Sequence, residues 1–282
     1  MYSFKNVLLL ITLLFSKIGF AMSSMPPASH FFKGQQLEIA LAIDKSDADL
    51  AGSLAKKIGH VELDRPGTEG MTLLTYAANK AISESPKHLE VVKALIRSGA
   101  DPLTQAGGQN GGSILSIALL RAEGGAGPSF LLAVLDAGVS PNSLEYRNGG
   151  APIIFRMTSQ DTPECLHLLV ERGADVNIKS KLGRTAIFYG LDAFALDEVN
   201  YLLDHGANPD VVDVYGNSFA SKLKEKVDTQ QNDPRQRYPK ILALRDRVIK
   251  MGVQWPPVSS LEERERMRAR GVMPRVPFGL EK

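Results

Sequence analysis

The feature that most restricts this chain is a turn that keeps returning. Gly99-Ala100-Asp101-Pro102, Gly138-Val139-Ser140-Pro141-Asn142, Gly173-Ala174-Asp175-Val176-Asn177 and Gly206-Ala207-Asn208-Pro209-Asp210 are near copies, spaced 39, 35 and 33 residues apart. A second series, Gly70, Gly111, Gly149, Gly183 and Gly216, opens the same units at steps of 41, 38, 34 and 33. A repeat of this size means an array in which each unit is one small helical or strand motif that buries its apolar face only against a neighbour. Between opening and closing glycine lie two apolar-periodic segments, as in Leu74 to Ala78 and then Leu89 to Ile96, so each unit reads as turn, short helix, helix. The closing glycine lets the chain leave the second helix through a left-handed residue.

This organisation resembles the ankyrin-repeat family over roughly residues 35–253, with the units at 70–102, 149–182 and 183–215 matching best. The family's Thr-Pro-Leu-His start is worn: Thr72-Leu73-Leu74-Thr75, Ser113-Ile114-Leu115-Ser116, Ala151-Pro152-Ile153-Ile154 and Thr185-Ala186-Ile187-Phe188. No unit keeps the His, which in the family helps link neighbouring turns, so the ties between units must come from elsewhere or be weaker. The signature of the second helix is better kept, with Glu90-Val91-Val92, Glu164-Cys165-Leu166 and Glu198-Val199 ahead of Leu95, Leu169 and Leu202-Leu203. The resemblance implies an all-α ankyrin-repeat solenoid of helix-turn-helix units with finger loops, about five to six units plus a C-terminal extension. It also implies that the chain works by holding a protein on its concave surface. The family's variable positions fall here on Glu69, Met71, Tyr76, Asn110, Arg147, Phe155, Lys181, Leu182, Arg184, Tyr189, Val214, Tyr215 and Asn217. Phe155 and Tyr189 have an alternative use, packing between units, because aromatic residues at helical spacing usually belong to a core.

The ends read differently from the array. Residues 1–21 are expected to be a secretory signal: Lys5, an apolar run from Val7 to Phe15, then small residues around Gly19 and Ala21. That run is shorter than the roughly 20 apolar residues needed to span a bilayer. Residues 22–34 are expected to be a linker, 35–66 an N-terminal capping helix pair, 67–255 the repeats and 256–282 a C-terminal helix and extended tail. Ser260-Leu261-Glu262-Glu263 has the form of a capping box opening that helix, Gly271 ends it, and Glu262/Arg266 and Glu265/Arg268 are spaced as surface pairs. Longer turns are expected at Ser83–Pro86 and Glu123–Pro128, and a longer finger loop at Gly107–Gly112.

No set of residues converges on a catalytic reading. His30, His60, His88, His167 and His205 lack a second His or paired carboxylates at metal-ligand spacing. Cys165, the sole cysteine, forms no internal disulfide and falls where a helix points inward. The glycine cluster at 107–112 lacks the Lys-Ser/Thr of a phosphate loop. The arginines from Arg264 to Arg270 alternate with glutamates, and removal of Lys5 and Lys17 takes the net charge from +2 to 0, which gives no reason to expect nucleic acid. The chain is therefore read as a non-enzymatic module without cofactor or metal, monomeric when free and off the membrane once its leader is removed. Three settings are open: a periplasmic immunity protein neutralising a secreted toxin such as a type VI lipase effector, an envelope scaffold supporting a resident exported enzyme such as a catalase, or a secreted host-directed effector.

Overall fold

The computed structural model describes residues 25–104, 127–145 and 151–276. The signal reading, the glycine-rich loop, Asn110 and Arg147 lie outside them. Within them the expected helical solenoid forms. An inner layer of helices holds α2 (Gly34–Asp44), α5 (Leu73–Ser83), α8 (Ile153–Met157), α10 (Ala186–Asp192) and α12 (Phe219–Thr229). An outer layer holds α3 (Ala48–Ile58), α6 (His88–Arg97), α7 (Gly127–Asp136), α9 (Pro163–Glu171), α11 (Leu196–Asp204) and α13 (Tyr238–Lys250). Short helices α1 (Ala28–Phe31) and α4 (His60–Leu63) flank the first pair, α14 (Ser260–Ala269) follows the last, and β1 (Leu144–Glu145) pairs antiparallel with β2 (Ala151–Pro152).

Five closing glycines, Gly99, Gly138, Gly173, Gly206 and Gly252, all have φ between 85° and 103°. The left-handed step lets the next residue donate its N–H back into the helix just left: Ala100 to Leu95 O, Ala174 to Leu169 O and Ala207 to Leu202 O, at 2.9–3.0 Å. The same leucines fill the seam between layers with no exposure, beside Val91, Cys165 and Val199. Each such side chain contributes about 1.5–3 kcal/mol by leaving water.

Among the described units the place of the missing histidine is treated in different ways. In the first, Thr72 caps α5 by accepting the Thr75 N–H, and the two hydroxyls bond at 2.9 Å. In the last, Ser218 Oγ likewise caps α12 by accepting the Ser221 N–H, but the Ser221 hydroxyl donates to the Ser218 carbonyl. In the fourth, Phe188 stands where the bonding side chain would be, and the buried Thr185 hydroxyl has no partner. Some ties between units run through the closing turns. Asp64 accepts the Asp101 N–H at 3.0 Å, Asn142 that of Asp175 at 2.8 Å, and Asn177 that of Asn208 at 2.8 Å.

Two expectations about the ends are corrected. The segment at 22–34 is no linker from Met25 onward: α1 and Phe32 pack on the first unit, with Phe31 and Phe32 fully in the core. The cap of α14 is Ser259, one residue earlier than expected, accepting the Glu262 N–H. Glu262 and Arg266 pair at 2.9 Å as spaced, whereas Glu265 and Arg268 do not; buried Glu263 takes both Arg266 and Arg270.

Candidate partner-binding face

Three finger turns are built alike. A residue donates its N–H to the carbonyl four positions on: Gly67 to Met71, Ser180 to Arg184 and Asp213 to Asn217, at 2.8–2.9 Å. In the later two, the side chain of that first residue gathers the turn. Ser180 Oγ accepts the N–H groups of Leu182 and Arg184, and Asp213 Oδ1 accepts those of Tyr215 and Asn217. Short polar side chains suit this work because they reach backbone donors two to four residues ahead. Neighbouring fingers join through Val214 N–H to Leu182 O at 2.9 Å.

Arg184 lies within this framework. Its Nε and Nη2 both donate to Asp213 Oδ2, at 3.0 and 2.9 Å, and Asp213 is wholly buried. Arg184, expected on the partner surface, has its fork engaged between two fingers. A two-pronged, charge-assisted pair of this kind holds geometry as well as energy.

The ends of the face are covered by the chain itself. Tyr76 has no exposure; Phe31 and Phe32 lie against its ring at 5.9 and 5.5 Å, and its hydroxyl donates to Asp44 at 2.7 Å. Burial and the Asp44 carboxylate hold its phenol above the ordinary value. At the other end, Ser260 Oγ donates to Asn217, Arg264 donates to Tyr215 O, and the Arg275 N–H donates to Val214 O at 2.6 Å. Val214, Tyr215 and Asn217, expected on a partner surface, are thus held by the folded-back C-terminal extension. Phe155 is buried as well, stacked on Tyr189 at 4.6 Å with rings 13° from parallel. It packs between units, the alternative use open to it.

What remains uncovered is smaller. Lys181 is exposed, and Leu182 and Tyr189 are half-buried on adjacent finger and helix. Glu69 is exposed at the first finger, facing His30 at 3.1 Å, and Met71 beside it is half-buried against the core. The residues that decide this outcome, Phe31, Phe32, Asp213, Arg264 and Arg275, were missed in the sequence. Only Asp213 carried a signal, standing where Ser180 stands one unit earlier.

The titratable groups fit structural roles. Burial pushes the Cys165 thiol up to about 11, so it is inert as a nucleophile at neutral pH. His88 is buried against Ser46 and Ser85 O, His60 bonds Gly99 O at 2.9 Å, and His205 bonds Tyr201 O. Among the described residues, no group of three His, Cys, Asp or Glu side chains is placed to hold a metal ion.

The ankyrin repeat family model matches residues 69–106. A putative ankyrin repeat protein of Acanthamoeba polyphaga mimivirus is 33% identical over 96 residues, 33% of this chain and 59% of that protein. The B-cell lymphoma 3 protein homolog of Mus musculus is 31% identical over 137 residues, 45% of this chain and 29% of that one. The chain therefore spans less than two thirds of these curated relatives. Among solved structures, the ankyrin repeat domain of Bcl-3 shares the fold, with a TM-score of 0.53 at 23% identity over 74% of this chain and 85% of that chain.

Proposed function

We propose that this chain, an ankyrin-repeat solenoid, is a non-enzymatic module that binds one protein on the middle of its concave face. The observation that carries this reading is the contrast along that face. Tyr76 at one end is buried and, at the other, Val214 O, Tyr215 O and Asn217 Oδ1 are engaged by the C-terminal extension, while exposed Lys181 and half-buried Leu182 and Tyr189 between them receive no hydrogen bond from either terminus. A large half-buried ring, an aliphatic side chain and a cation side by side are the materials of a binding hot spot.

We place this module in the periplasm, carried there by the leader at residues 1–21, as an immunity protein that neutralises a secreted toxin such as a type VI lipase effector. The leader-like run, the array and the absence of a converging catalytic set support that reading. Affinity capture of the tagged protein from its native cells, with a Lys181→Ala/Leu182→Ala/Tyr189→Ala variant as control, tests it. Recovery of one toxin by the parent and its loss by the variant is the expected result. Sister cells that stay fully resistant to attack after deletion of the gene would sink the immunity reading, and recovery of a resident envelope enzyme would put a scaffold role in its place.

A further inference from the structure

Beside the closing turn at 206–210 lies a cavity of about 370 Å3. A water's share of the liquid is about 30 Å3, so this is the room of about a dozen waters. Its wall brings together Lys179 and Thr185, Asn208 and Asp210 from the closing turn, and Arg270 at the end of α14. Thr185 is 1% exposed and its hydroxyl has no partner within the fold. The Phe188 N–H, which a capping side chain would accept, bonds the Thr185 carbonyl instead. Buried polar groups are rarely left unanswered.

Lys179 and Asp210 carry opposite charges in the same wall and do not close on each other. Neither side chain has an ion-pair or hydrogen-bond partner among the described residues. The remaining wall is fixed around them. Asn208 donates its N–H to Asn177 Oδ1 and accepts the Asp210 N–H, both at 2.8 Å. Arg270 is held through Nη2 by Glu263 at 2.8 Å and through Nε by Arg266 O at 3.3 Å, which leaves Nη1 open.

These charges decide what the space suits. A cation alone would face Lys179 and Arg270, and an anion as charged as phosphate would lie beside Asp210. A neutral sugar would take water from both signs and answer neither. A molecule that carries a carboxylate and an ammonium answers both.

We infer that this cavity binds a small zwitterion, an amino acid or a short peptide. The carboxylate accepts from the Thr185 hydroxyl, Lys179 and Arg270 Nη1, and the ammonium donates to Asp210. No residue of the wall belongs to the surface around Lys181, Leu182 and Tyr189, so either reading can fail without the other.

Calorimetric titration of the full chain with glycine, glycylglycine and triglycine tests this, since the three carry the same ends at different spacings. Acetate, methylammonium and inorganic phosphate are the controls. Saturable binding of at least one of the three peptide-like probes is expected, with every control about tenfold weaker or more. Lys179→Gln and Asp210→Asn should each weaken that binding about tenfold, and Thr185→Val about fivefold. Thr185→Val removes no side-chain bond within the fold, and thermal melts verify that all three variants stay folded. Acetate or phosphate bound as tightly as the zwitterions would make this an anion site and overturn the inference. Parent affinity in Asp210→Asn or Thr185→Val, or no saturation by any of the three at millimolar concentration, would overturn it as well.

Discussion

Thr72 and Thr185 hold the same position in the first and fourth units, and only Thr72 has a use for its hydroxyl. It caps α5 and bonds Thr75, whereas Thr185 faces Phe188, which is committed to an edge-on contact with Phe219 at 5.7 Å. A buried hydroxyl without a partner is a cost that an isosteric methyl removes. Thr185→Val is expected to leave stability unchanged or raise it, while Thr72→Val loses about 1 kcal/mol; urea midpoints of the two variants separate these outcomes. Glu198 makes a related case with a pH signature. Burial holds its carboxyl above the ordinary value of 4.5, and a raised group adds stability below its unfolded value that is lost as pH rises through the folded one. Glu198→Gln should therefore stabilise the protein by about 1 kcal/mol at neutral pH. The gain should vanish in thermal melts run below the ordinary carboxylate range.

At the scale of elements, the closing turns were readable because each is decided within a few residues: a left-handed glycine, a leucine or valine four before it and the next residue's N–H that returns to that carbonyl. The finger turns differ in what leans on them. A Cβ at Gly138 would meet nothing within 4 Å, so Gly138→Ala should cost about 1 kcal/mol from its φ of +103° alone. At Gly216 the same atom would lie 2.6 Å from Ser260 O and 2.8 Å from Arg264 Cγ. Gly216→Ala should cost at least about 2 kcal/mol and lift α14 from its seat, and limited proteolysis should then cut within 255–276 before the repeats. The face was legible only in part for the same reason. Tyr76 and Tyr189 occupy matching positions in their units, and what buries Tyr76 is a pair of phenylalanines in a segment with no repeat signal at all. Arg184 reads as a surface cation until Asp213, 29 residues on, is seen to take its fork.

Across the whole molecule, each unit leans on its neighbours, so stability is a sum of units and the seams between them. Removing residues 255–282 strips the last finger of Ser260, Arg264 and Arg275. Hydrogen exchange should then quicken first in 213–217 and along α12 and α13, with α5 and α6 protected as before; uniform quickening would mean that the array opens as one body. Nothing comparable threatens the other end while Phe31 and Phe32 stay seated.

The face is held at Tyr76 by Phe31 and Phe32 and at 214–217 by the C-terminal extension. A copy inserted between units that already have neighbours on both sides would lengthen the protein and leave both of these contacts as they are. The Asn142-to-Asp175 and Asn177-to-Asn208 bonds are interchangeable joints for such an insertion, since each couples one closing turn to the next by the same two groups. The uncovered stretch around Lys181, Leu182 and Tyr189 would be what grows, and the reach of the protein around a partner would change in whole units while its ends stayed as they are.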